Sequence, residues 1–386
     1  MSKHTLLLSA AASALLFGSA YSAYADTTIS SETSKPLYTA HLTDTSDEDS
    51  DYTYGTGSIS IASGGAIKTD TKDISLITVN SDSYVYSNGL IQDNDKDEVY
   101  GIHVNLTDDD DTSAIDGSRN MSALTITKAD GSTVTGTAIY LDSSSVLKLA
   151  GSSGSTKYGI WLDGDSTNCK GGANCVLTGN IVMAKGADIY VKGSSVRGIY
   201  QEGYTVLKGD LLLNGTIEAY QSDATSTSSS GLYALYLGGT VEGDIKISST
   251  ANILADGSGS SGALISGGFY CAAGDTGGCT NWHSGSGVTG ALVIDGSVVA
   301  EGIDTGSSDY SRTKAENGDA TYPEGSVALT LGSGIDHGLG ISSTGTVKTL
   351  GTAEAILISP SVLYGSSNLD RKSTRLNSSH SRAPRM

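Results

Sequence analysis

The chain has 386 residues, with 50 Gly and 20 Tyr but only 4 Pro, 2 Phe and 2 Trp, and carries a net charge of −19. Gly, Ser, Thr and Asp along the whole length, with few Leu-rich runs, exclude a helix bundle or a doubly wound sheet and predict short strands joined by tight turns. No Pro-rich or charged linker divides the sequence, so it reads as one elongated body.

Residues 1–25 carry Lys3 and His4, an apolar run from Leu6 to Phe17, and Ala23-Tyr24-Ala25 before Asp26. That order is a secretory signal peptide, too short to span a bilayer, and it predicts export. Residues 26–56 are expected to form an N-terminal segment or cap. From Gly57 a pattern repeats: GSISIASGGAIKT (Gly57), SALTITKADGSTVTG (Ser122), GNIVMAKGADIYVKG (Gly179), GDLLLNGTIEAYQ (Gly209), GDIKISSTANILADG (Gly243), GALVIDGSVVAEG (Gly290) and GLGISSTGTVKT (Gly338). Each is a short alternating run, a turn, and a second alternating run, the period of half-buried strands. A third strand recurs between them, beginning at Tyr100, Thr137, Tyr158, Arg197, Tyr233, Gly262, Val327 and Glu354.

Three short strands per repeat, at irregular spacing, predict an all-β, right-handed parallel β-helix: a three-sided β-solenoid over residues 57–369 with loop excursions at its corners. Roughly eight coils about 4.8 Å apart would make a rod on the order of 40–50 Å. Asp in place of Leu212 or Ile245 is expected to break a coil by putting charge into the stacked core. The acidic segment Thr107–Asn120 and the two cysteine loops are expected to leave between third and first strands, whereas Gln221–Ser230 and Gly302–Gly325 leave after second strands. Such loops on a rigid scaffold are common recognition sites, although neutral drift on a tolerant scaffold fits them equally well.

The four cysteines form two close pairs, Cys169/Cys175 and Cys271/Cys279, which in an exported chain read as two small-loop disulfides. Their spacings are wider than usual zinc spacings, and no His lies beside the first pair. GDTGG (Gly274–Gly278) resembles a serine-protease nucleophile motif, but Thr276 stands where Ser is needed and nothing places His103, His283 or His337 with an orienting acid; GDST (Gly164–Thr167) fails similarly. DNDKDE (Asp93–Glu98) begins like a calcium loop, yet Glu98 replaces the turn Gly and Val104 the closing Glu. No cofactor is expected; Asp93–Asp97 and Asp108–Asp111 leave room only for loose calcium, with a solvated acidic turn as the default. Tyr158, Trp161, Tyr200, Tyr233 and Tyr236 fall near third strands, where they could stack on sugar, but Tyr is also an ordinary strand former. Asn105, Asn120 and Asn214 open sequons, but Asn214-Gly215 is better read as a turn.

The signal peptide, Gly/Ser/Thr/Asp-rich coils such as VEGDIKIS and closely spaced cysteines resemble the passenger domain of a Gram-negative autotransporter, over roughly residues 26–369. That resemblance implies adhesion or display at the outer-membrane surface, a host or neighbouring-cell partner (glycans among the candidates), and a β-barrel of the same protein following the passenger. No such barrel is present in this sequence. The end of the chain bears on this, because DRKSTRLNSSH (Asp370–His380) matches the translation of a common sequencing-library adapter. Residues 370–386 are therefore expected to be adapter-derived, with the passenger cut before its barrel. Removing Lys3, the five basic tail residues and Asp370 from the 23 basic and 42 acidic residues leaves 17 against 41, a net charge near −24. That charge speaks against nucleic acid and anionic lipid as partners. The expectation is a non-enzymatic binding protein; the competing class is a secreted β-helix polysaccharide lyase or hydrolase, which a clustered groove of acids, bases and aromatics would favour.

Overall fold

The structure is a computed structural model that describes residues 26–39, 53–54, 57–81, 83–106, 125–151, 155–164, 175–221, 231–257, 259–267, 269–271, 282–284, 287–301, 326–350 and 355–358. Three long parallel sheets of nine, nine and ten strands run through it, and from Ile59 onward the chain visits them in rotation. This is a three-sided parallel β-helix.

The first sheet stacks Thr27–Ile29, Ile59–Ile61, Val85–Ser87, Thr137–Leu141, Asn180–Met183, Leu211–Leu213, Ile245–Ile247, Leu292–Ile294 and Leu339–Ile341. The second stacks Glu32–Thr33, Ala66–Thr69, Leu90–Asp93, Val146–Ala150, Asp188–Gly193, Thr216–Gln221, Asn252–Asp256, Ser297–Glu301 and Thr346–Leu350. The third runs from Leu37–Tyr38 through Ile74–Val79, Val99–Asn105, Thr156–Asp163, Ser195–Gln201, Tyr233–Leu237, Ser261–Ile265 and Val327–Leu331 to Ile356–Ile358, with Thr53–Tyr54 added at its N-terminal edge. Nine coils result, about 38 Å of rod at the usual interstrand spacing. Four strands of segment 26–56 already join the sheets, so the solenoid begins at Thr27, ahead of Gly57.

Alternation explains the core. Inward columns such as Ile67, Ile91, Leu147, Ile189, Ile217, Ile253 and Val298 lie in register on successive coils and are fully buried. Each such side chain contributes roughly 1.5–3 kcal/mol by leaving water. Ile245 is buried as expected, but Leu212 faces outward. In the triple run Leu211-Leu212-Leu213 the phase is fixed by pairing with Ile245 and Ile247, which turns Leu211 and Leu213 inward.

The corner before the first strand shows why its repeats open on Gly. A Cβ on Gly209 would sit 2.5 Å from the Gly179 carbonyl oxygen of the preceding coil. The residues that follow form a ladder: Asn180 Oδ1 accepts from the Asp210 amide (2.8 Å), Asp210 Oδ1 from the Asp244 amide (2.9 Å), and Asp244 Oδ1 from the Ala291 amide (2.8 Å). Backbone donors that a corner would leave unpaired are thereby satisfied. At the Asn214-Gly215 turn, the Asn214 amide and Nδ2 both donate to the Met183 carbonyl.

One expected repeat is not a coil. Thr125–Thr127 and Thr133–Thr135 pair antiparallel as a hairpin, and Thr137–Leu141 belongs to the first sheet, not the third. The hairpin buries Ile126 against Tyr86 and Tyr140 on the outside of the rod, in a cluster separate from the main core. The Tyr86 hydroxyl fastens it, donating to Asp142 (2.7 Å) and accepting from the Ala129 amide (2.9 Å). A second addition, the parallel set Cys175–Thr178, Thr205–Lys208 and Thr240–Val241, lines the corner between third and first strands. All five longer excursions leave from the corners expected of them, judged by the strands that flank them.

Candidate functional site

The third sheet has an outer face unlike the other two. Its strands place two successive residues inward, as at Gly159-Ile160, so the flanking Tyr158 and Trp161 both point out. The same break recurs at Gly101-Ile102, Gly198-Ile199 and Ala234-Leu235. The first member must be small: a Cβ on Gly101 or Gly198 would meet the next coil's carbonyl oxygen at 2.5 Å. Two outward columns follow, Tyr100–Tyr158–Arg197–Tyr233 and His103–Trp161–Tyr200–Tyr236, in register over four coils.

The rings form one connected array. His103 stacks on Trp161 at 4.2 Å between centroids and 12° between planes. Tyr100 meets Tyr158 at 5.2 Å and Trp161 at 4.8 Å, Tyr158 meets Tyr200 at 4.9 Å, and Tyr236 meets Tyr200 at 5.2 Å and Tyr233 at 4.9 Å. Arg197 lies among them with its guanidinium 3.8 Å from the Tyr200 centroid, 5.0 Å from Tyr158 and 5.1 Å from Tyr236, and Nη1 donates to the Tyr158 hydroxyl (3.2 Å). Ring faces hold the cation in place of a carboxylate, and no salt bridge reaches Arg197 among the described residues. Its buried Nε has no acceptor there either.

Polar groups edge the array. His103 Nε2 lies 3.0 Å from Asp163 Oδ2, and Nδ1 lies 3.2 Å from Ser75 Oγ. Trp161 Nε1 donates to Glu202 Oε1 (3.2 Å). Burial, then the nearby Asp163 charge, push the Glu202 carboxyl up to about 7, although hydrogen bonds from Trp161, the Gly164 amide and Tyr200 pull the other way. Burial also raises Tyr158 and Tyr200 and brings Tyr100 to about 12, so these phenols stay neutral donors at physiological pH.

Ser75, His103 and Asp163 are the residue types of a hydrolytic triad, in a hydrogen-bonded row. The row differs from a working triad in its setting. Trp161 covers a face of the imidazole, and Ser75 sits within a sheet strand where the neighbouring Ile74 amide is spent on the Glu98 carbonyl (3.1 Å). An oxyanion needs free, convergent donors, which a ladder-bonded strand does not offer.

All five aromatics singled out in the sequence fall on this one face. Sequence reasoning missed Tyr100, Asp163, Arg197 and Glu202 at this face, and it found no acid to orient His103, which Asp163 supplies at 3.0 Å. The missed signal is the register: residues 30–60 apart become neighbours only once the coils are aligned. Asp93 also departs from expectation. It is no solvated turn residue, because its side chain is fully buried against Lys157, which also donates to the Lys96 carbonyl. No cluster of metal-ligating side chains occurs among the described residues; Asp108–Asp111 lies outside them. His337 is exposed at a corner, and His283 lies in the antiparallel hairpin of Phe269–Cys271 with Trp282–Ser284. Thr276 with its GDTGG motif, Asn120, Cys169 and Cys279 lie outside the described residues, as do residues 1–25 and 370–386. Cys175 is buried and disulfide-bonded. No helix among the described residues is long and apolar enough to cross a membrane. No family model, curated protein or solved structure matches the chain.

Proposed function

We propose that the chain is an exported, surface-displayed β-helix that acts by binding: an adhesion-type passenger of the autotransporter kind, sent out by residues 1–25 and attached through a barrel that lies outside this sequence. The observation that carries this reading is a rigid nine-coil rod bearing a continuous aromatic face on one of its three sides. Its partner is the surface of a host or neighbouring cell. Cys175 pairs with Cys169 and Cys271 with Cys279, each closing a short excursion. The test is attachment of beads coated with the full chain to epithelial and bacterial cells. Binding above uncoated beads is expected, and attachment to neither cell type contradicts it.

A second reading, a β-helix hydrolase acting on polysaccharide, draws on Glu202, whose carboxyl near 7 lies beside Asp163 in the arrangement of a protonated acid and a carboxylate. Release of reducing ends from polysaccharide by the full chain, lost in Glu202→Gln, would establish it over the binding reading.

A further inference from the structure

Resting on the binding reading, we infer that the outer face of the third sheet is a carbohydrate site for a neutral glycan chain, laid along the rod axis across the coils that carry Tyr100, Trp161, Tyr200 and Tyr236. The argument is chemical complementarity. Half-buried rings on consecutive coils offer apolar, electron-rich faces, and the C–H face of a pyranose is the common polar-solute surface that stacks on them. Coils recur about every 4.8 Å, close to the rise of one ring in an extended glycan, so successive sugars would meet successive side chains.

The polar edge selects the occupant. Arg197 supplies guanidinium donors that no carboxylate neutralises among the described residues, Asp163 supplies acceptors, and Glu202 can do either near its pKa of about 7. Sugar hydroxyls donate and accept, so they match such a mixed set. An apolar partner would bury Asp163 and Arg197 without new partners, which costs more than the stacking returns. A polyanionic glycan would approach a chain of net charge −19 and meet Asp163 directly. A hydroxyl-rich neutral chain is the occupant that leaves nothing unpaired.

The test is titration of the full chain with neutral hexaoses of glucose, mannose, galactose and N-acetylglucosamine, read by tryptophan fluorescence and calorimetry, with oligogalacturonate as the acidic comparison. Saturable binding of at least one neutral hexaose is expected, weakened at least tenfold by Tyr200→Ala or Tyr236→Ala but less than threefold by Tyr200→Phe, which keeps the ring. Val293→Ala, on the outer face of the first sheet, should leave binding unchanged. Circular dichroism of each variant confirms the fold. Binding by none of the four hexaoses, binding of the acidic oligomer alone, or neutral binding indifferent to Tyr200→Ala and Tyr236→Ala each overturns the inference. Cell attachment without glycan binding would sink this site and leave adhesion standing. Glycan binding without cell attachment would do the reverse.

Discussion

Lys157 is the least expected residue of the core, and replacing it is a sharp test of how the coils are held. It occupies the inward column Ile74–Val99–Lys157–Val196, where its neighbours are aliphatic. Both it and the Asp93 side chain are fully buried; Asp93 Oδ2 takes the ammonium and Oδ1 accepts from the Ala150 amide at 2.7 Å. Lys157→Met would strand the carboxylate in the interior, a loss of about 3–5 kcal/mol, out of a total that for a domain is typically 5–15 kcal/mol. Adding Asp93→Asn keeps an acceptor for Ala150 and removes the charge, so the double variant should recover more than half of that loss. Urea unfolding followed by circular dichroism gives the overall shift. Hydrogen exchange of Leu90–Asp93 and Thr156–Asp163 localises it, since a repeat array need not unfold in one step. A single variant costing less than about 1 kcal/mol, or a double variant no better than the single, would refute the assignment of a paired interior charge.

Other outcomes follow from the same geometry. Tryptophan fluorescence should titrate with a midpoint near pH 7, because Trp161 donates to Glu202, and the transition should vanish in Glu202→Gln. The folded Glu202 carboxyl is raised, so its contribution to stability is full below the unfolded value near 4.5 and is lost as pH climbs through about 7; Glu202→Gln should flatten that slope in thermal melts taken between pH 4.5 and 8. Ile245→Asp should cost several kcal/mol and open the rod to protease, whereas Leu212→Asp, on the outer face, should leave the melt within about 1 kcal/mol of the parent. Gly198→Val should destabilise by at least about 2 kcal/mol, since even its Cβ would crowd the Ala234 carbonyl at 2.5 Å.

Much of this architecture was legible in the sequence because a β-helix writes its core locally: Ile59-Ser60-Ile61 and Ile245-Lys246-Ile247 alternate in plain view. The order of first, second and third strands from Gly179 onward, and the corners that release the excursions, follow from that alternation. Thr125–Leu141 misled because a hairpin strand, a first strand and a third strand share one short pattern, and only the partner across the sheet tells them apart. Leu212 misled because a run of three leucines has no phase of its own. The site was legible as a list of aromatics but not as a surface. His103 and Asp163, 60 residues apart, touch only because one coil carries each to the same height, and Lys157 reads as an ordinary surface lysine until Asp93 is found beneath it.

The most direct measurement is cell attachment by the full chain and by its Tyr200→Ala/Tyr236→Ala variant, at matched folding and matched display on beads. The aromatic face as the working surface predicts that attachment falls at least tenfold in the variant while circular dichroism and melting stay close to the parent. Undiminished attachment by a folded variant would contradict that assignment and move recognition to another part of the rod.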